Sequence, residues 1–283
     1  MDTLTETHFR SWIGRTEQLH DPLSPVQAQA AQAMLDEPGP ALVDGDALPL
    51  PWHWFYFLPR APQAALDADG HPQRGGFLPP IPYPRRMFAG ARIRCHRPLR
   101  VGRPAQREGT IREVAMKEGK SGALAFVTVA YRFMQDGELC LEEEQDIVYR
   151  EPGPAVAAPT AAVLPALPEG CWARTLQPDT RLLFRFSALT FNAHRIHYDR
   201  AYAADVEGYP GLVVHGPLTA VLLLQLVRQS TPRAVTAFNF RGVAPLFDLG
   251  PIRLLATAAD DSVALEAQGP DGRAALLATA TLG

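Results

Sequence analysis

The stretch FNAHRIHYDRAYAADVEGYPGLVVHGPLTAVLLLQLVRQ, Phe191 to Gln229, sets a crowd of polar side chains directly ahead of an apolar run. The run begins with Pro217, a residue suited to the start of a helix because its missing N–H would have had no intrahelical partner there. Leu218 to Val227 are apolar almost all round, so the spacing predicts a helix wrapped on every side by other structure. Ahead of it, Phe191 to Gly216 hold an amide (Asn192), the histidines His194, His197 and His215, and the acids Asp199 and Asp205. His215 and Gly216 fall at the helix entrance, where unpaired backbone N–H groups and the helix dipole favour developing negative charge. Adding water across a C=C bond conjugated to a thioester needs an oxyanion donor, a base for water and a proton for the α carbon. The stretch offers a candidate for each.

Outward from it, the chain carries a faint internal repeat. Arg94, Pro98, Leu99 and Pro104 have the spacing R-x3-P-L-x4-P, which returns as Arg241, Pro245, Leu246 and Pro251. Downstream of each copy a β-rich run, Phe126 to Phe133 or Val263 to Ala267, precedes an Asp-Gly pair, Asp136-Gly137 or Asp271-Gly272. Asp-Gly tolerates the positive φ angles of tight hairpins, so each copy is expected to end in one. Between the copies, residues 151–170 are rich in proline and alanine and should lack regular structure. The expected organisation is an N-terminal unit over 1–150, a linker over 151–170 and a C-terminal unit over 171–283. Ser24 followed by Pro25 and an alanine-rich segment predicts a second helix with a covering or packing role.

Composition bounds the function. The 283 residues are 47% hydrophobic with a net charge of −3, enough for a large core and without the basic excess of a nucleic-acid binder. Cys95, Cys140 and Cys171 stand singly, forming neither a disulfide framework nor a paired metal motif. No apolar stretch is long enough to span a bilayer, and the start MDTLTETHFRSWIG does not read as a signal peptide. A cytoplasmic protein is expected, with no nucleic-acid or membrane partner.

Asn192-x-x-x-Ile196-His197, then Tyr202-Ala203, then Gly211 to Leu218 (GLVVHGPL) resembles the MaoC-like, R-specific enoyl-CoA hydratase family of hotdog proteins. That resemblance implies an α+β fold, a double hotdog of two antiparallel sheets each wrapped around a central helix, with the catalytic loop in the C-terminal unit only. It places His197 on the family's histidine, Asn192 on its aspartate and Gly216 on its oxyanion glycine. An amide cannot accept a proton, so His197 becomes the sole base and Asn192 only orients the water. His194 and Arg195 replace the family's asparagine and proline.

The first half narrows the resemblance. Trp52 to Phe57 (WHWFYF), Gly75 to Pro80 (GGFLPP), Pro84 to Gly90 (PRRMFAG), Lys120-Ser121-Gly122 and Glu143 to Tyr149 (EEQDIVY) are similar to bacterial 3-methylfumaryl-CoA hydratases, and the second half also to type 2 hydroxyacyl-thioester dehydratases. The implied reaction is the reversible hydration of 3-methylfumaryl-CoA to citramalyl-CoA by a hydro-lyase, with an acyl-CoA thioester as partner and no cofactor beyond that coenzyme A. The same residues would serve a dehydratase of 3-hydroxyacyl groups on carrier protein or CoA, a thioesterase, or a non-catalytic acyl-thioester binder. Which acyl group is bound, and whether whole chains pair into a homo-oligomer, stay open.

A free carboxylate on such a substrate calls for a guanidinium. Arg195 is the first candidate, inside the loop, and Arg85 or Arg86 the second; His194, Val214 and His215 are expected beside the substrate. Asp199 is expected near His197 as a charge-balancing carboxylate. The remaining arginines from Arg92 to Arg103 are expected on a solvated face, Trp52 to Phe57 in a core or lining an acyl tunnel, and Glu142 to Glu144 on a strand edge. No metal is expected, because the spacing of His194, His197 and Asp199 fits no common ligand pattern.

Overall fold

In the computed structural model, which describes residues 3–119, 122–164, 166–167 and 169–283, one antiparallel sheet of ten strands runs through both halves of the chain. The N-terminal half holds helix α1 (Thr3–Arg10), strand β1 (Thr16–Asp21), helix α2 (Pro25–Leu35) and strands β2 (Arg85–Cys95), β3 (Ala105–Gly119), β4 (Gly122–Gln135) and β5 (Glu138–Arg150). The C-terminal half holds β6 (Cys171–Leu176), α3 (Thr180–Leu189), α4 (Gly216–Ser230), β7 (Val235–Gly242), β8 (Ile252–Ala259), β9 (Ser262–Gln268) and β10 (Ala274–Leu282). The Lys120-Ser121-Gly122 motif lies largely outside the described residues.

Strand order shows the repeat. The first half runs β1-β3-β4-β5-β2 and the second, read from its outer edge, β6-β8-β9-β10-β7. The two copies of the proline motif occupy matching places: each begins at the end of the strand at the seam, and its last proline, Pro104 or Pro251, stands directly before the next strand. The seam is the antiparallel pairing of β2 with β7, from Gly90 opposite Arg241 to Arg94 opposite Ala237. A side chain at residue 90 would bring its Cβ to 2.3 Å from the Phe240 carbonyl oxygen, so this close approach requires glycine. Asp136 and Gly137 take φ angles of 53° and 79° and close the β4–β5 hairpin in two residues, as expected. The Asp271-Gly272 loop is longer, and there only Gly272 has positive φ.

The C-terminal sheet packs around α4, whose residues Leu218 to Val227 are all buried. His215 caps it, and Pro217 sits in its first turn. In the N-terminal half the short 3₁₀ turn Trp52–Phe55 meets the sheet through Glu143, with α2 behind it, and α1 lies against β3. Prolines at 49, 51, 59 and 62 deny this segment the N–H groups a longer helix needs. Trp52 and Phe55 are fully buried, so this motif is chiefly core, and of its residues Phe57 alone reaches the cleft described below. Glu143 corrects an expectation: β5 lies inside the sheet, and the carboxylate is buried, accepting from Trp54 Nε1 at 2.9 Å and meeting His53 Nε2 at 2.8 Å. Arg92, Arg97 and Arg103 pair with acids of neighbouring strands and turns, as a solvated face would.

Candidate active site

Helix α3, opened by Asp179, whose side chain accepts from the Leu182 N–H, leads into the polar loop. Phe191 turns the chain at φ 50°, and the Asn192 N–H returns to the Ser187 carbonyl at 2.8 Å. The Asn192 Oδ1 accepts the His194 N–H at 3.0 Å, which fixes the amide's orientation: its oxygen is committed to the turn and its NH₂ remains to donate. The loop is then tied to the segment before α4, because the Val213 N–H donates to the Ile196 carbonyl at 3.0 Å and His197 Nδ1 lies 2.7 Å from the Val213 carbonyl.

That second bond sets the tautomer. A carbonyl only accepts, so Nδ1 carries the hydrogen and the Nε2 lone pair of neutral His197 is free. Burial pushes the imidazole down to about 4, partly opposed by the Val213 bond, so it is neutral at pH 7. The His215 ring stacks on it with centroids 3.6 Å apart and is held by Ser187 Oγ at 2.9 Å from its Nε2. Burial, then the neighbouring His197 and His194, hold His215 well below its usual value.

His197, Asn192, His194, Val214, His215 and Gly216 all line one cleft of about 1470 Å³. The Gly216 N–H, in the first turn of α4, has no backbone acceptor among the described residues, and a Cβ there would have 3.8 Å to its nearest neighbour, the Phe88 carbonyl. The cleft is not built by the C-terminal half alone. His71, Arg86, Phe88, Tyr131 and Tyr149 of the N-terminal half form part of its wall.

Three expected residues fall elsewhere. Arg195 is turned from the cleft: its guanidinium donates to Asp199 Oδ2 at 2.8 and 3.1 Å and to the Ala68 carbonyl at 3.1 Å, and lies 4.1 Å over the Tyr202 ring. Asp199 is therefore the partner of Arg195 and caps the Tyr202 N–H, leaving His197 to the Val213 carbonyl. Arg85 is buried against Glu207, with Nε 3.3 Å from its carboxylate, and does not line the cleft. Arg86, the next residue on β2, points to the opposite face of the sheet and lines the cleft, with no hydrogen bond or ion pair among the described residues.

Sequence reasoning missed Ser187, Asp69 and His71. No spacing announces the last two, which sit in a turn 127 positions from the loop they serve, as the bond from Arg195 to Ala68 shows. Asp69 Oδ1 accepts the His71 N–H at 2.9 Å, and Oδ2 meets His71 Nδ1 at 3.0 Å. The donor atoms of Asp69, His71 and His194 lie within 4.8 Å of one another, a spacing three side chains can use to share a cation, and His71 Nδ1 is within hydrogen-bond distance of Asp69 Oδ2. The turn is locked in place by Gly70, where a Cβ would stand 1.8 Å from the Ala193 carbonyl oxygen.

The whole arrangement superposes on a solved MaoC-like dehydratase with a TM-score of 0.71, covering 97% of this chain and 99% of that one at 16% identity, which shows a shared double-hotdog fold. A buried neutral imidazole and a helix-start N–H without a backbone acceptor face one cleft in that fold, the groups that adding or removing water at a thioester calls for. The chain belongs to the hydroxyacyl-thioester dehydratase type 2 family, which it matches across residues 51–248. It is 62% identical over 280 residues to the mesaconyl-C(4)-CoA hydratase of Chloroflexus aurantiacus, spanning 99% of this chain and 100% of that protein. To the mitochondrial hydroxyacyl-thioester dehydratase type 2 of Schizosaccharomyces pombe it is 28% identical over 229 residues, 72% of this chain and 75% of that one.

Proposed function

We propose that the protein hydrates mesaconyl-C4-CoA, the 3-methylfumaryl thioester, to citramalyl-CoA. The observation that carries this reading is the end-to-end 62% identity to a hydratase of that name. Water adds its oxygen to the carbon β to the thioester. His197 Nε2 takes the proton, the Asn192 amide donates to the water oxygen, and the thioester oxygen collects negative charge beside the Gly216 N–H and the positive end of α4. In this substrate the attacked carbon also bears the free carboxylate, whose charge repels an incoming oxygen. Arg86 is the cation that offsets it. It lies two residues, about 7 Å, along β2 from Phe88, whose carbonyl borders Gly216. Only the two carbons of the double bond separate the thioester carbonyl from the carboxylate, so one small acyl group spans the oxyanion donor and the guanidinium. A coenzyme A thioester as substrate, with no cofactor beyond it, fits work in the cytoplasm; among the described residues no helix is long and apolar enough to cross a membrane.

Turnover of mesaconyl-C4-CoA and crotonyl-CoA, followed by loss of enoyl-thioester absorbance and by thiol release, tests the reading. The expected result is faster hydration of the dicarboxylic thioester without thiol release; preference for crotonyl-CoA would refute it. Arg86→Gln should raise KM for mesaconyl-C4-CoA by roughly 10-fold or more, the worth of one charge-assisted hydrogen bond, with little change for crotonyl-CoA. Arg195→Gln should leave that ratio unaltered.

A further inference from the structure

Hydration moves two protons, one from water and one onto the α carbon, and the residues assigned so far account for the first. Asn192 cannot carry a proton, and its oxygen is committed to the His194 N–H. His215 is engaged by Ser187. The other half of the molecule offers what is lacking.

We propose that His71, carried by the N-terminal half and held by Asp69, is the second proton-transfer residue of the site, the imidazole that gives the α carbon its proton during hydration. The proposal rests on the hydratase reading above. Its geometry is that of an oriented acid–base pair. Asp69 takes the Nδ1–H of His71 at 3.0 Å and the backbone N–H at 2.9 Å, leaving Nε2 to carry the transferable proton on a ring that lines the same cleft as His197 and Gly216. The two halves are fixed to each other at this point by the Arg195 N–H donating to the Asp69 carbonyl at 2.9 Å and by the Gly70 backbone pressed on Ala193. Between the two imidazoles stands a third. The His194 ring lies 4.1 Å from that of His71 and edge-on, 5.3 Å, to that of His197.

The charges around this row divide the labour. Burial lowers His71, and Arg86 and Arg74 push the same way, while the Asp69 hydrogen bond and charge work against them. Burial alone would raise Asp69, but the His71 ring, its backbone N–H and His194 hold it below the usual carboxylate range, so it stays ionised. His197 has only a backbone carbonyl to support a charge. The Asp69 charge and hydrogen bond favour a proton on His71 against the burial that disfavours it, and a substrate carboxylate beside Arg86 would cancel the guanidinium that also opposes it.

The step balances without a further reactant. As the C–O bond forms, the water O–H bond breaks and its proton passes to His197 Nε2, while the C=C electron pair moves to the thioester oxygen. That pair then forms the α C–H bond with the Nε2 proton of His71, which enters the step as the imidazolium with its Nδ1–H held by Asp69. The site resets when the proton on His197 passes through His194 to His71.

His71→Gln and Asp69→Asn in the full chain test this, assayed on whichever enoyl thioester the wild type turns over, so that failure of the mesaconyl reading leaves the test standing. The expected result is a fall in kcat of about 100-fold for His71→Gln with KM nearly unchanged, in the range of a lost general acid. The alkaline limb of the kcat–pH profile should vanish in His71→Gln and move to lower pH in Asp69→Asn, which keeps the shape but not the charge. A merely structural His71 would move neither limb. Wild-type kcat and pH profile in both variants would overturn the proposal. So would a loss confined to mesaconyl-C4-CoA and absent with crotonyl-CoA, which would make His71 a carboxylate binder, or chelator-sensitive activity restored by zinc, which would make the three residues ligands. Thermal midpoints near that of the wild type confirm that the variants fold.

Discussion

Substituting Gly70 by alanine puts a methyl group where the structure has a backbone carbonyl. The added Cβ would stand 1.8 Å from the Ala193 oxygen and 2.6 Å from its carbonyl carbon. Ordinary contact is about 3.5 Å, so the turn and the loop must separate by roughly 1.5 Å. The φ angle of 92° adds strain that an L residue meets with about 1–2 kcal/mol. Separation also breaks the hydrogen bond from the Arg195 N–H to the Asp69 carbonyl, worth about 1 kcal/mol. The sum, about 2–3 kcal/mol, should lower Tm by roughly 3–5 °C in a chain of this size. Activity should suffer more, because the displaced loop carries Asn192, His194 and His197, and a shift near 1 Å in a reacting group costs about 100-fold. Gly45 is the control, with nearly the same φ, 91°, and nothing within 4 Å of its added Cβ. Gly45→Ala should keep wild-type kcat/KM and lose only the strain energy. Hydratase rates and thermal melts on the two variants decide the matter; equal kcat/KM for both would refute the claim that this glycine joins the halves of the site.

Removing the proposed base, as in His197→Gln, should reduce kcat by about 10²–10⁴-fold in the hydratase assay while the chain stays folded. The buried histidines should also make stability fall with acid. His197 titrates at about 4 folded against 6.5 unfolded, so below pH 6.5 the unfolded chain takes the proton first. Stability should be full above pH 6.5 and decline by roughly 3 kcal/mol from this residue as pH falls to 4, with His215 adding in the same direction. Urea midpoints at pH 7.5, 5.5 and 4.5 check this, and a flat profile would contradict the buried neutral imidazoles.

Asn192 shows how far local sequence reaches. Its place near His197 was legible, and so was its inability to accept a proton, since both follow from residue type and spacing. That its oxygen would be committed to the His194 N–H was not, because the positive φ of Phe191 bends the chain there. Arg195 shows the opposite case. It stands inside the loop, yet its guanidinium is neutralised by Asp199 four residues on and stacked on Tyr202, a local arrangement that the one-dimensional order does not reveal.

The sequence by itself determined the repeated β units, the buried helix α4 with its open N–H at Gly216, and the placing of His197 in the loop ahead of that helix. Periodicity, hairpin residues and helix-start chemistry act over a few residues, so they are written locally. Only the tertiary structure decided which of Arg85, Arg86 and Arg195 faces the cleft, that Glu143 is buried, and that His71, held by Asp69, lines the cleft. Those outcomes depend on strand alternation, on register across β2 and β7, and on a glycine small enough to let two distant backbones touch.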